Sequence, residues 1–167
     1  VDMPDNVIAI GDNGFYRCPK LSLTSLPSGI TSLGDYAFAD CSMLTLTSLP
    51  SGITSLGDYV FRDCPRLSLT SLPSGITSIG QYAFRNCSKM VLTSLPSGIT
   101  SIGDFAFANC TGLETVRFTS TVSSIPNGVF SGCTKLSTIY VPWSQGQVAN
   151  APWGASKATI IYDYTEN

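Results

Sequence analysis

The chain has 167 residues, 43% of them apolar and 12% charged, with a net charge of −2. That length supports one domain with a real core, and that composition belongs to a folded chain rather than a disordered tail. No basic excess marks a nucleic-acid footprint, no Lys/Arg run marks a membrane surface, and no apolar run approaches the roughly 20 residues that span a bilayer.

Histidine, the commonest metal ligand and general base, does not occur. Val1 starts partway through a motif without a signal-peptide pattern, which reads as a piece of a longer polypeptide. In chain order, residues 1–9 come first as the tail of a repeat, because MPDNVIAIG lines up with LPSGITSLG. Six repeats follow, at 10–32, 33–55, 56–78, 79–101, 102–124 and 125–147. Residues 148–167 break the pattern and are expected to form a C-terminal cap on a 1–147 solenoid. The period of 23 residues holds for Cys18, Cys41, Cys64, Cys87, Cys110 and Cys133, and for Phe15, Phe38, Phe61, Phe84, Phe107 and Phe130. A period without insertions means one structural unit stacked on copies of itself, and 23 lies within the span of leucine-rich repeats.

Each unit divides into three parts. The Leu/Thr-rich stretch after Cys, such as Leu44 to Leu49, is expected to be a strand of a parallel sheet. Pro50-Ser51-Gly52 is a turn, and Ile53 to Leu56 is extended again. Gly57 to Cys64 is expected to start a short helical turn with Phe61 and Cys64 on its inward face. Stacked strands sit about 4.8 Å apart, so the rungs form a rod.

Columns follow from the stacking. The six cysteines read as free, buried, small hydrophobes. A zinc site needs four converging ligands, which one column does not supply. Asp12, Asp35, Asp58 and Asp104 share a register and read as N-caps of the turn rather than as a calcium column, since Gln81 and Asn127 interrupt them. Tyr36, Tyr59, Tyr82 and Phe105 read as packing on the outer side. The last two full repeats place apolar residues three, six and eight after Cys, as in Leu113, Val116 and Phe118. Earlier repeats use three, five and eight, so Leu23, Leu46, Leu69 and Leu92 are displaced by one residue. Either they line the surface or the backbone bulges to bring them inside, and the bulge is expected.

Cys110-Leu113-Val116-Phe118 with Val122-Ile125, Cys133-Leu136-Ile139-Val141-Pro142, and the run GDYAFADC at 34–41 resemble the BspA-like leucine-rich repeats. The resemblance covers about 1–142. It implies an α/β, mainly β, right-handed leucine-rich-repeat solenoid, with parallel strands on the concave face and short helical turns and extended segments elsewhere. Such repeats look like parts of bacterial and protozoan surface proteins that adhere to host proteins or to other cells. The tail from Val141-Pro142-Trp143 to Ala151-Pro152-Trp153-Gly154 is similar to C-terminal caps of gut-bacterial repeat proteins, some of them virion-borne.

Positions that differ between rungs are the candidates for a site. The position seven after Cys runs Ser25, Ser48, Ser71, Ser94, Arg117, Tyr140, a concave hydroxyl stripe that changes character at its end. Glu114, Arg117, Tyr140 and Trp143 are therefore expected to cluster at the C-terminal end of the concave face, with hot-spot chemistry. The bland alternative pairs Arg117 with Glu114 or stacks it on Tyr140. Trp153 is expected to plug the end of the core. No catalytic residue, metal or cofactor is expected, because no base, carboxylate pair or phosphate loop is legible. The expected role is a surface-displayed or secreted adhesion module for a protein or glycan partner. The alternative is a structural spacer or virion component. An uncovered first rung predicts a further N-terminal segment or end-to-end association.

Overall fold

In a computed structural model, residues 3–165 are described, and they form a mainly β, all-parallel solenoid of about seven turns. Two sheets run along it. The first joins β1 (Ala9–Ile10), β2 (Ser32–Leu33), β3 (Ser55–Leu56), β4 (Ser78–Ile79) and β6 (Ser101–Ile102). The second joins β5 (Ser94–Leu95), β7 (Thr115–Phe118), β8 (Thr138–Tyr140) and β9 (Thr159–Ile161). Pairing advances by the repeat, as in Ser55↔Ser78 and Arg117↔Tyr140.

The Leu/Thr-rich stretch departs from expectation. Leu44 to Leu49 is not a strand, and this part of the rung becomes sheet only from Ser94 onward. The cause lies in side-chain parity. A strand buries every second residue, whereas Leu44, Leu46 and Leu49 are all buried and two exposed residues, Thr47 and Ser48, intervene before the last. The main chain deviates to keep all three leucines inside. Only single inter-rung bonds remain, offset by one residue: Thr45 N–H donates to the Leu23 carbonyl at 3.2 Å and Ser68 N–H to Leu46 at 3.1 Å. In β7, by contrast, Val116 and Phe118 alternate with Thr115 and Arg117, and a regular ladder forms. Leu23, Leu46, Leu69 and Leu92 are at most 7% exposed, so the displaced leucines belong to the core.

The expected helical turns are also absent among the described residues: Gly34 to Cys41 is a series of tight turns. A helix would commit each N–H to a carbonyl four residues back. Here alternate N–H groups leave the turn for the next rung: Tyr36 to Asp58, Phe38 to Val60 and Asp40 to Arg62, at 2.8–2.9 Å. Those between them close turns, Ala37 to Gly34 at 3.3 Å and Ala39 to Tyr36 at 3.1 Å. Positive φ at Tyr36 (56°) and Asp40 (61°) makes the alternation possible and ends any helical run. Every residue just before a ladder cysteine is left-handed: Arg17, Asp40, Asp63, Asn86, Asn109 and Gly132. Asp, Asn and Gly are the residues that tolerate that region best.

Inside, the phenylalanine rings stack from Phe15 to Phe130 with centroids 5.3–5.7 Å apart. The cysteines beside them are unbridged. Each thiol from Cys41 to Cys133 donates at 3.1 Å to the carbonyl of the preceding rung's phenylalanine. The aspartates do not cap their own turns. Asp12, Asp35 and Asp58 each accept the main-chain N–H at the same position of the next rung, at 2.8 Å, and the third also holds the Gln81 side-chain amide. Rungs approach so closely there that a Cβ on Gly57 would lie 2.6 Å from Asp35 Oδ1, which explains the glycine before Asp58 and, by the same contact with Asp12, the one before Asp35.

Candidate binding surface

The second sheet presents outward what its alternation leaves uncovered. Its register aligns Ser94, Arg117, Tyr140 and Ile161 in one cross-strand row, with Thr115, Thr138 and Thr159 in the next. The Arg117 guanidinium lies over the Tyr140 ring, 4.8 Å from its centroid, and the Tyr164 ring packs on Tyr140 with centroids 4.7 Å apart and a tilt of 54°. Arg117 makes no ion pair among the described residues, so its donors remain available beside an aromatic platform. Glu114 is exposed just before β7. Its main-chain carbonyl receives the Ser137 N–H at 3.0 Å and the Ser137 hydroxyl at 3.2 Å.

Trp143 does not belong to this surface. It is 2% exposed, with its ring 5.3 Å from Phe118 and 6.2 Å from Trp153. Parity explains the correction. Ile139 and Val141 point inward from β8, and Trp143 continues that side of the chain while Tyr140 faces out. Its indole N–H is buried without a partner, whereas Trp153, wholly buried, donates to the Ala149 carbonyl at 2.8 Å. Ile161, 40% exposed, and Tyr164 were not singled out from the sequence. The signal for Ile161 is local: Ala158-Thr159-Ile160-Ile161 repeats the pattern of Ser137-Thr138-Ile139-Tyr140.

The serine stripe changes along the molecule. Ser25, Ser48 and Ser71 are exposed on irregular backbone, and Ser94 alone of the four lies in a strand. Shallow depressions flank Thr119, one lined by Ser71, Ser94 and Ser97, the other by Phe118, Pro142 and Tyr164. Thr119 stands where most rungs carry proline, and its hydroxyl donates to the Leu95 carbonyl at 2.9 Å.

A second, half-buried feature runs along the turns. Tyr36, Tyr59, Tyr82 and Phe105 stack face to face at 4.5, 5.0 and 5.3 Å, and Phe105 ends the column by lying over Gly128. Burial and the neighbouring phenols push the Tyr59 hydroxyl above its usual pKa.

Among the described residues no three acidic, cysteine or histidine side chains converge on one point, and no helix is long and apolar enough to cross a membrane.

The family description "BspA type Leucine rich repeat region", in six copies, matches residues 1–91 and 59–151. A leucine-rich repeat protein from Bacteroides ovatus is 36% identical with a TM-score of 0.73, over 80% of this chain and 35% of that one. The T. pallidum leucine-rich repeat protein is 30% identical with a TM-score of 0.70, over 81% of this chain and 65% of that one. A leucine-rich cell surface protein from Faecalibacterium prausnitzii is 25% identical with a TM-score of 0.56, over 83% of this chain and 53% of that one. The chain thus spans about a third of the first and two thirds of the second. No curated protein matches it.

Proposed function

The chain belongs to the BspA-type leucine-rich repeat family, and from that premise we propose that it is a non-catalytic binding module that engages a host or cell-surface protein through the outward face of its second sheet. The observation that carries this reading is the change of chemistry along one row. Serine hydroxyls give way to Arg117 stacked on Tyr140, flanked by Ile161 and Tyr164. Arginine and tyrosine are the residues that dominate interface energetics, and the rigid platform lowers the entropy lost when a partner docks. Glu114, just before β7, is included in the site as its acidic rim.

Residues 148–165 act in this reading as the C-terminal cap, with Trp153 closing the end of the core. Display at the cell surface, or secretion, agrees with the likeness to a leucine-rich cell surface protein from Faecalibacterium prausnitzii.

The test is capture from a host extracellular and cell-surface extract by the intact protein and by an Arg117→Ala/Tyr140→Ala variant with an unchanged circular dichroism spectrum. A glycoprotein or protein retained by the first and lost by the second supports the module and its site. Equal capture, or none, favours a spacer, the reading suggested by four identical LTSLPSGITS segments.

A further inference from the structure

Seven of the nine lysines and arginines fall within two residues of the cysteine of their rung, and four of these, Arg62, Arg66, Arg85 and Lys89, sit on two adjacent rungs. Stacking sets Arg62 beside Arg85 and Arg66 beside Lys89, and these two short rows on neighbouring rungs form a cationic ridge on a protein whose net charge is −2. Like charges aligned on neighbouring rungs repel, and such alignment destabilises unless something compensates it. Only two carboxylates share these positions, and both are engaged. Asp40 lies 3.6 Å from Arg17, and Asp63 accepts from Arg62 at 2.7 Å and from the Asn86 amide. Among the described residues Arg66, Arg85 and Lys89 make no ion pair.

The aromatic column borders this ridge. Arg62 lies 5.8 Å from the centroid of the Tyr59 ring and Arg85 5.5 Å from that of Tyr82. Because the rings stack on one another, their faces are closed, and a neutral sugar that needs an open ring face finds none there. What remains outward are ring edges and guanidinium donors. Asp35 and Asp58, directly before Tyr36 and Tyr59, are committed to the main chain of the next rung.

We propose that this ridge binds a linear anionic polysaccharide, sulfated or bearing uronates, laid along the solenoid axis with its charges over Arg62, Arg66, Arg85 and Lys89. Rungs repeat every 4.8 Å or so, close to the advance of one sugar in an extended chain. Guanidinium groups match the planar oxygen pairs of carboxylate and sulfate. The proposal is independent of the Arg117–Tyr140 surface.

The probe is heparin, a sulfated glucosamine–uronate polymer, titrated by calorimetry beside neutral dextran and poly-glutamate. Heparin should bind, weakening as salt rises, and dextran should not. Arg62→Gln/Arg85→Gln should lower heparin affinity about tenfold, while Arg117→Ala leaves it unchanged. Should the first variant disturb the ring column, Arg66→Gln/Lys89→Gln is the second, with the same expected loss. The proposal fails if heparin does not bind or if a folded ridge variant binds it undiminished. It also fails if poly-glutamate binds as tightly, which would make the ridge a site for acidic peptide.

Discussion

At the scale of single residues, the cysteines show how far a repeated letter can be read. A small inward side chain at every 23rd position follows from the pattern alone. The hydrogen bond from each thiol to the phenylalanine carbonyl of the rung before does not, because its two partners are 26 residues apart. Burial pushes the Cys41 and Cys133 thiols up to about 11, and those of Cys64, Cys87 and Cys110 further in the same direction. Free thiols in an unfolded chain ionise near 9. Above that pH the unfolded state binds fewer protons than the native one, so the stabilisation present below 9 is lost as pH rises through 9 to 11 and beyond. Thermal melts should therefore shift down steeply above pH 9, and a Cys87→Ala variant should show a shallower slope there even though it starts less stable. The same burial governs reactivity. A thiol reagent at neutral pH should modify half-exposed Cys18 rapidly and the other five only on denaturation. Prompt reaction of all six would contradict the buried column.

At the scale of elements, the turn before each cysteine was legible as a turn but misread as helical. Its inward Phe and Cys positions suit either structure, and a three-residue spacing does not separate them. The discriminating signal was Asp, Asn or Gly just before the cysteine in most rungs, the residues that accept positive φ. Asp40 offers the test, since its ion pair with Arg17 is long and exposed and therefore contributes little. Asp40→Ala should cost about 1–2 kcal/mol by denaturant titration, and Asp40→Gly much less. Equal losses would assign the cost to the side chain and not to the backbone. The strands were misplaced for a related reason. Leucine spacing told which side chains go inside, but only the observed pairing shows that a Thr-Ser step breaks the ladder in early rungs and that β7 restores it. Trp143 was assigned outward on its residue type, while two-residue parity from Ile139 placed it inward.

At the scale of the molecule, stability should be close to a sum over rungs and the interfaces between them. Deleting residues 56–78 joins equivalent positions and removes one rung. That variant should fold with the same spectrum, a lower midpoint and a smaller denaturant dependence, because less surface is exposed on unfolding. Deleting 56–67 shifts every column out of register and should abolish cooperative unfolding.

Taken by itself, the sequence determined the repeat and the inward column of Phe and Cys, because an uninterrupted period stacks equivalent positions on one another. Tertiary structure decided what the surfaces carry. Charges scattered through a mildly acidic chain become a cationic ridge only when rungs stack. Likewise Ile161 and Tyr164 reach Tyr140 only when the last segment pairs with β8. The second outcome joins a segment outside the 23-residue period, where spacing carries no information about contact.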